Sequence, residues 1–232
     1  MPTKWPPGLF FLPRVPEPEI MGGGEEAEAY SSASSEAYLD EIDNTFVEHA
    51  LGLGVQQGLA LDVGTGPGQI PIKLALKNPR LQILGFDLSE TMLEKARKGA
   101  ELRGVQDRVS FQKDDATCSH FPSAHFDLVV CNSLLHHSAD PLATLNEIAR
   151  VAKPAGAILL RDLRRPSAVA FPLHVAWFGR HYRGLMKQLY VDSVRAAYTL
   201  EELSILLSRS EIRSGRVFRK GLTHIGIERR AG

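Results

Sequence analysis

A short apolar segment that runs directly into a glycine-rich loop restricts the fold of this chain more than any other feature. Leu59–Val63 has the length and composition of a buried strand, and Gly64-Thr65-Gly66-Pro67-Gly68 follows it at once. A helical pattern begins at about Gln69, and Pro71 is tolerated in its first turn because that position has no intrahelical amide partner. This strand–loop–helix unit is typical of open parallel sheets, in which ligands bind at the carboxyl ends of the strands.

The rest of the chain repeats the alternation of strand and helix. Further strands are predicted at Leu81–Phe86, Val109–Gln112, Phe126–Cys131 and Ala157–Leu160. Helices are predicted from Ser89 to about Arg103, from Asp140 onward, and after the capping box at Thr199–Glu202, before a closing antiparallel pair at Arg213–Arg219 and Leu222–Glu228. The alternation implies right-handed βαβ units and a parallel sheet that helices cover on both faces.

Length and composition favour one large domain. The chain has 232 residues, of which 44% are hydrophobic and 23% charged, and this excludes disorder along its whole length. The net charge of zero excludes a uniformly basic nucleic-acid binder. Residues 1–160 hold 13 basic and 21 acidic side chains, whereas residues 161–232 hold 14 and 6. The basic part is either a rim that attracts an anionic substrate or a solvated face that pairs with the acidic part.

Cysteine content and hydropathy indicate the cellular compartment in which the protein is expected to work. Cys118 and Cys131 lack metal-ligand spacing, so neither a disulfide framework nor a metal site is predicted, and a reducing cytoplasm fits best. No run of about 20 apolar residues exists, so no membrane span is expected. The N-terminus also lacks the pattern of a signal peptide.

Two segments depart from the alternation. Residues 1–24 carry six of the fourteen prolines and end in Gly22-Gly23-Gly24, so they are predicted to drape over the domain without regular structure. Residues 25–232 then form a single domain. Within it, residues 164–198 are predicted to be a helical insertion or lid.

Two acids beside the glycine loop restrict which ligands the loop can bind. Asp62 lies directly before the loop, where it can bind a cationic amine and would repel a pyrophosphate. Asp87 ends the second strand, where it can accept both ribose hydroxyls, although dinucleotide sites use an acid there too. The dinucleotide fingerprint needs a glycine where Gln69 stands. A nicotinamide oxidoreductase is therefore the less favoured interpretation.

Five elements in order resemble a known family. They are Asp62–Gly68, the segment Gly85–Leu93 around Asp87, Asp115-Ala116, Phe126–Asn132 followed by His136-His137, and Arg150–Gly156. Together they resemble the class I S-adenosylmethionine-dependent methyltransferases, in particular the small-molecule, type 11, ubiquinone-biosynthesis-like branch, over about residues 36–163. Asp114, Ser119-His120 and Ala155 depart from the family pattern without removing a ligand group.

The resemblance implies an α/β, Rossmann-like, doubly wound fold. Its sheet would be mostly parallel and seven-stranded, with an antiparallel last strand and the helical insertion after strand five. It implies that S-adenosylmethionine is held at its methionine end by Asp62, Gly64, Thr65 and Gly66, at its ribose and adenosine by Asp87, Leu88 and Met92, at its adenine by Asp115 and Ala116, and near its sulfonium by Asn132, Ser133 and Leu134. Tyr38 or Tyr30 would close over it, unless these tyrosines are packing residues.

Methyl transfer to a small-molecule acceptor is the function that the resemblance implies, with S-adenosylhomocysteine as product. The sulfonium is already activated, so the protein mainly supplies proximity and orientation. A base is needed only where the acceptor carries a proton of high pKa. His136 and His137 are the candidate catalytic residues, with packing or loop capping as the alternative.

The acceptor would be recognised by the N-terminal segment and the insertion. The insertion carries aromatic, histidine and arginine side chains that line a pocket or form the core of a lid, namely Phe171, His174, Trp177, Phe178, His181, Tyr182, Arg183 and Tyr190. Asn132-Ser133-Leu134-Leu135 lacks the Pro-Pro-aromatic pattern of nucleic-acid amino-methyltransferases, so a nucleic-acid substrate is not favoured. A cofactor-binding sensor or scaffold without transfer activity is the alternative function.

Overall fold

The structure is a computed structural model, and it describes residues 10–17 and 37–232. The strands are β1 (Gly58–Val63), β2 (Leu81–Asp87), β3 (Val109–Lys113), β4 (Phe126–Asn132), β5 (Ala152–Leu163), β6 (Arg216–Lys220) and β7 (His224–Arg229). The helices are α1 (Ala37–Leu51), α2 (Gln69–Lys77), α3 (Glu90–Leu102), α4 (Pro141–Val151), α5 (Phe171–Phe178), α6 (Gly184–Ala196) and α7 (Leu200–Arg209).

The seven strands form one sheet in the order β3-β2-β1-β4-β5-β7-β6. Strands β1 to β5 pair in parallel, and β7 runs antiparallel to both β5 and β6. The predicted fold class is confirmed. The strand order reverses between β1 and β4. Val63 pairs with Phe86 on one side and with Cys131 on the other, so the loops after β1, β2 and β4 emerge at one edge.

Hydrophobic cores lie on both faces of the sheet, which explains why the strands read as continuous apolar runs. Along β4, Leu128 and Val130 belong to one core, and Val129 and Cys131 belong to the other. The first core includes buried residues of α1, α2 and α3, and the second includes buried residues of α4 and α7. The central strands are thereby fixed between two helical layers, and the loops at their ends are held in register.

Local caps begin three of the helices where the sequence predicts them. The Ser89 hydroxyl accepts a hydrogen bond from the Met92 amide at the start of α3, and Asp140 accepts one from the Ala143 amide at the start of α4. Thr199 and Glu202 form a reciprocal capping box at the start of α7. Each cap satisfies amides that the first helical turn leaves unpaired.

Strand β5 is longer than predicted at both ends. It begins at Ala152, directly after α4, and a register irregularity against β4 separates its first pairing from the regular ladder that starts at Ala157. Its last residues include the buried polar side chains Arg161 and Asp162. A hydropathy pattern does not detect the end of the strand because these residues are polar, but each has a side-chain partner, Asn132 for Arg161 and His136 for Asp162.

The described part of the N-terminal segment, residues 10–17, contacts the insertion and the loop after β5. The Val15 amide donates to the Arg195 carbonyl at 3.1 Å, and Arg165 Nε donates to the Leu12 carbonyl at 2.9 Å. We call residues 10–17 the strap. Residues 164–198 contain α5 and α6, as expected for a helical insertion.

Candidate active site

A cavity opens at the carboxyl edge of the sheet, beside the point where the strand order reverses. Its walls come from the loops after β1, β2 and β4, from α1 and from the insertion. Thirteen of the predicted site residues line it, namely Tyr38, Asp62, Gly64, Thr65, Gly66, Asp87, Leu88, Met92, Asn132, Ser133, Leu134, His136 and His137. The sheet therefore brings together side chains from three separate loops.

The glycine loop needs residues without a side chain at two positions. Gly64 and Gly66 have φ values of 69° and 51°, in the left-handed region that favours glycine. A Cβ on Gly64 would lie 2.7 Å from the Leu134 side chain, whereas one on Gly66 would meet no atom within 4 Å and would project into open space. The loop is thus an open cup in which backbone amides can approach a ligand closely.

Asp87 fastens this cup to the neighbouring strand. Its Oδ2 accepts a hydrogen bond from the Gly66 amide at 2.9 Å, and its Oδ1 accepts one from the Ser89 amide at 2.9 Å. Burial nevertheless raises the pKa of Asp87 above its ordinary value, although these amides act to lower it. Each oxygen keeps a further acceptor site, which suits the ribose hydroxyls that the sequence assigns to this residue.

Asp62 is the most deeply buried acid of the cup. It is 2% exposed and accepts a hydrogen bond from Thr65 Oγ1 at 2.7 Å. Burial raises the pKa of Asp62 to about 7 despite this hydrogen bond, and the carboxylates of Asp87 and Asp43 add to the increase. A cationic ligand beside Asp62 would relieve this cost.

A third acid, Asp43 on α1, lines the cavity and was missed by the sequence analysis. Burial raises the pKa of Asp43 to about 6, although Lys73 and Arg161 lower it. The sequence offered one sign of it, since Asp43 is an acid on the helix face that carries Leu39, Ile42 and Phe46. Asp43 joins Asp62 and Asp87, so the cup carries three carboxylates whose pKa values are all raised.

Arg161 on β5 holds α1 against the end of β4. It is 2% exposed and donates to the Asn132 side-chain oxygen at 3.2 Å, the Thr45 hydroxyl at 2.9 Å and the Ile42 carbonyl at 3.0 Å. Burial lowers the pKa of Arg161 to about 10, while Asp43 opposes the decrease. The guanidinium thereby places Asn132 and the cavity-lining face of α1 relative to each other.

The two predicted adenine ligands follow β3, where the Asp114 amide donates to the Asp87 carbonyl at 3.3 Å. Asp115 and Ala116 are not among the described residues that line the cavity. Asp115 Oδ1 instead accepts hydrogen bonds from the Thr117 amide and hydroxyl, both at 2.7 Å. Ala116 packs at the edge of the core beneath α4. Their role toward a ligand stays a prediction. Tyr30 lies outside the described residues.

Aromatic side chains form the opposite wall of the cavity. Tyr38 stacks on His181 with ring centroids 4.0 Å apart, and Tyr182 stacks on Tyr190 at 4.7 Å. Tyr38, Tyr182 and Tyr190 line the cavity together with Met186 and Leu189 of α6. The insertion therefore forms a wall of the cavity, and its role as a lid stays a prediction.

His136 and His137 lie at the end of the cavity that faces the strap. His136 is 2% exposed, and its Nδ1 is 2.5 Å from Asp162 Oδ1, while the other carboxylate oxygen accepts the His136 amide at 2.9 Å. Burial acts to lower the pKa of His136, but Asp162 and Glu17 outweigh it and the pKa is raised. The Oε2 atom of Glu17 is 3.2 Å from His137 Nδ1.

The cup fits an ammonium-bearing nucleoside better than a dinucleotide. Three carboxylates surround the open space beside Gly66, and they would repel a diphosphate and attract a cation. In the part of the chain that the structure describes, no lysine or arginine lines this cavity. Every helix in that part is too short or too polar to cross a bilayer.

Residues 57–200 match a family model described as a methyltransferase domain. The chain is 36% identical over 102 residues to 27-O-demethylrifamycin SV methyltransferase from Amycolatopsis mediterranei, covering 44% of this chain and 37% of the relative. It is 31% identical over 146 residues to demethylmenaquinone methyltransferase from Deinococcus radiodurans, covering 63% and 59%. The alignments thus span less than two thirds of either relative.

The fold also matches solved structures. A SAM-dependent methyltransferase from Aquifex aeolicus superposes with a TM-score of 0.67 at 21% sequence identity, covering 89% of this chain and 98% of that chain. At this identity the likeness concerns the fold alone. The family model covers more than half of the chain, and the chain therefore belongs to the methyltransferase domain family.

Proposed function

We propose that the protein is an S-adenosylmethionine-dependent methyltransferase that acts on a small-molecule acceptor. The observation that carries this proposal is the continuity of one cavity from the carboxylate-lined cup to the aromatic wall of the insertion. A cofactor in the cup and an acceptor against that wall would share one enclosed space. S-adenosylmethionine would supply an activated methyl group, which suits a site that works chiefly by orientation.

Different residues would bind different parts of the cofactor. Asp62 would bind its ammonium group, the loop from Gly64 to Gly66 would face its carboxylate end, and Asp87 would accept its ribose hydroxyls. Leu88 and Met92 would line the adenosine, and Asn132, Ser133 and Leu134 would pass beneath the sulfonium. The product S-adenosylhomocysteine keeps every one of these groups except the sulfonium charge.

The acceptor end would exclude water and orient the nucleophile. Tyr38, Tyr182 and Tyr190 supply flat apolar surfaces that suit an aromatic or polycyclic acceptor. The relatives named for demethylmenaquinone and 27-O-demethylrifamycin SV support an acceptor of this general size. Proton removal by His136 or His137 is needed only where the acceptor keeps a proton of high pKa.

Calorimetry with S-adenosylmethionine and with NADH tests the cofactor. We expect binding of the first at micromolar concentration and no heat from the second. Binding of NADH alone would overturn the proposal.

Release of S-adenosylhomocysteine over a panel of phenolic and quinol acceptors then tests the transfer. Cofactor binding without turnover on any acceptor would favour the alternative function, a sensor or scaffold. The continuous cavity favours the enzyme. A cytoplasmic location stays a prediction, supported by two free cysteines at Cys118 and Cys131.

A further inference from the structure

Three metal-ligating side chains meet between the strap and the loop after β4. Glu17 Oε2 is 3.2 Å from His137 Nδ1 and 3.9 Å from His136 Nε2, and the three ligand atoms lie within 4.8 Å of one another. We propose that Glu17, His136 and His137 bind one divalent transition-metal ion, which fastens the strap to the domain. We call this cluster the clip.

Local backbone geometry places both histidines on the same side. Ser133 has a φ of 57°, and a tight turn follows in which the His137 amide donates to the Leu134 carbonyl at 2.9 Å. The two rings consequently lie 4.0 Å apart, centroid to centroid. Two imidazole nitrogens from consecutive residues are thereby presented to one carboxylate.

Glu17 is held in place by contacts that do not involve the histidine side chains. Ser193 Oγ of α6 lies 3.2 Å from its Oε1, and Arg14 of the strap donates to the His136 carbonyl at 2.9 Å. Arg14 also donates to the Ala196 carbonyl at 2.5 Å. The strap therefore delivers its carboxylate to the histidines through contacts that do not need the metal.

Asp162 supplies a second observation that points to a metal. Its carboxylate holds Nδ1 of the buried His136, which orients the ring and leaves Nε2 as the ligand atom aimed at Glu17. Histidine ligands of metal ions characteristically give their other ring nitrogen to a carboxylate, which fixes the tautomer and the ring orientation. The Asp162–His136 pair has this arrangement.

Charge and donor type define the class of ion. Glu17 and Asp162 place two carboxyl groups beside the two imidazoles, with Asp192 close to Glu17 and the Arg14 guanidinium close to His136. Two nitrogens and one oxygen suit Zn²⁺ or Co²⁺ rather than Mg²⁺ or Ca²⁺, which prefer oxygen ligands. Ligand atoms around tetrahedral Zn²⁺ lie about 3.3 Å apart. Glu17 Oε2 and His136 Nε2, which lie 3.9 Å apart, would thus approach each other by about 0.6 Å, and the partly exposed His137 ring can adjust to this movement.

Metal binding at the clip excludes one catalytic role. A ring nitrogen that ligates a metal cannot accept a proton from the acceptor, so His136 Nε2 and His137 Nδ1 would be positioning groups. This agrees with a transfer reaction that depends chiefly on orientation. Because both histidines line the cavity, a closed clip would also fix its acceptor end.

Calorimetric titration of the full chain with ZnCl₂ tests the clip, and the absorption spectrum with CoCl₂ reports the coordination. We expect one ion per chain with micromolar or tighter affinity, and no binding of MgCl₂. Glu17→Ala and His137→Ala are each expected to weaken Zn²⁺ binding at least tenfold. His125→Ala removes an exposed histidine elsewhere and serves as the matched control, with unchanged affinity. Equal affinity in Glu17→Ala and His125→Ala, or no binding by the wild-type chain, would overturn the proposal.

Hydrogen exchange of the strap gives a readout that needs no activity. The Val15 amide donates to Arg195, so its exchange should slow at least tenfold when Zn²⁺ is added to the wild-type chain, but not in Glu17→Ala. Unchanged exchange in the wild-type chain would count against the clip. S-adenosylmethionine binding is measured on the same samples. Absence of Zn²⁺ binding by the wild-type chain, together with retained cofactor binding, would therefore reject the clip alone and leave the proposed function intact.

Discussion

Single carboxylates carry the chemistry of the cup. Asp87 combines two tasks, since it accepts the Gly66 and Ser89 amides and also lines the cavity. Burial of Asp62 and Asp43 removes their charged forms from water at a cost in free energy. The raised pKa values of both residues reflect this cost. A site built in this way gains its full electrostatic stability only when a cation enters.

Asp87→Ala is expected to weaken S-adenosylmethionine binding at least tenfold, because charge-assisted hydrogen bonds to the ribose and the tie to the glycine loop are both lost. Calorimetry measures the dissociation constant. Asp107→Ala, an exposed acid in the turn before β3, is the control and should leave the constant unchanged. An unchanged constant in the Asp87 variant would remove this residue from the site.

The raised pKa values of Asp62 and Asp43, about 7 and about 6, predict that cofactor affinity increases from pH 5.5 to pH 8. The cation needs ionised carboxylates, so binding releases protons. Calorimetry in buffers of different ionisation enthalpy measures the release. An affinity that is flat or falls over this range would contradict the expectation.

The raised pKa of Asp62 also means that this residue destabilises the ligand-free protein once it ionises. A carboxyl whose folded pKa is raised stabilises the fold below its unfolded pKa and loses that contribution as the pH rises toward 7. Asp62→Asn should therefore raise the unfolding free energy at pH 8 by about 1–3 kcal/mol while weakening cofactor binding. Thermal unfolding at pH 4.5 and pH 8 is the measurement, and a variant that is less stable than wild type at pH 8 would refute it.

Close packing between elements sets the shape of the glycine loop. Gly85 of β2 lies beneath Thr65, and a Cβ there would come within 2.5 Å of Thr65 Oγ1. That hydroxyl donates to Asp62, so the strand, the loop and the acid are mechanically linked. A substitution on β2, at a position with no ligand contact, should therefore alter the shape of the cup.

Gly85→Ala is expected to displace Thr65 and weaken cofactor binding about tenfold or more, with a moderate loss of stability. Gly99→Ala is the matched control, because its Cβ would meet only the flexible end of Ile72 at 3.1 Å and alanine favours the helix by about 1 kcal/mol. Calorimetry and thermal unfolding of both variants separate the two effects. Equal cofactor affinity in the two variants would show that the loop does not depend on Gly85.

At the scale of the whole molecule, the strap connects distant parts of the chain. Arg14 donates to the carbonyls of Ala196 and His136 and stacks on the Tyr198 ring at 4.4 Å. Arg165 holds the Leu12 carbonyl and pairs with Glu202. The strap thereby contacts the insertion and the loop after β4, and Arg165 connects it to α7.

Arg14→Ala should release the strap while the sheet stays folded. We expect faster chymotryptic cleavage after the exposed Phe11 and a loss of stability of about 1–2 kcal/mol, because two carbonyls lose their partner. Arg213→Ala, which removes an exposed ion pair, is the control and should change neither quantity. Cleavage at the wild-type rate would show that Arg14 does not anchor the strap.

Much of the fold follows from patterns formed by residues that are close to one another in the sequence. The apolar runs of β1, β2 and β4, the caps at Ser89, Asp140 and Thr199, and the glycine loop all act through near neighbours, and the structure has each of them. The end of β5 was missed because Arg161 and Asp162 are polar, and their burial depends on partners far away in the chain.

Sequence alone determined the alternation of strands and helices, the cup and two of its acids, because backbone conformation and hydropathy are local properties. Only the tertiary structure decided that Asp43 joins the cup, that Arg161 holds α1 through contacts 116 and 119 residues away, and that Glu17 faces His136 and His137. Such contacts depend on how the open sheet brings the loops at the ends of its strands together. No pattern among neighbouring residues encodes a contact between residues so far apart in the chain.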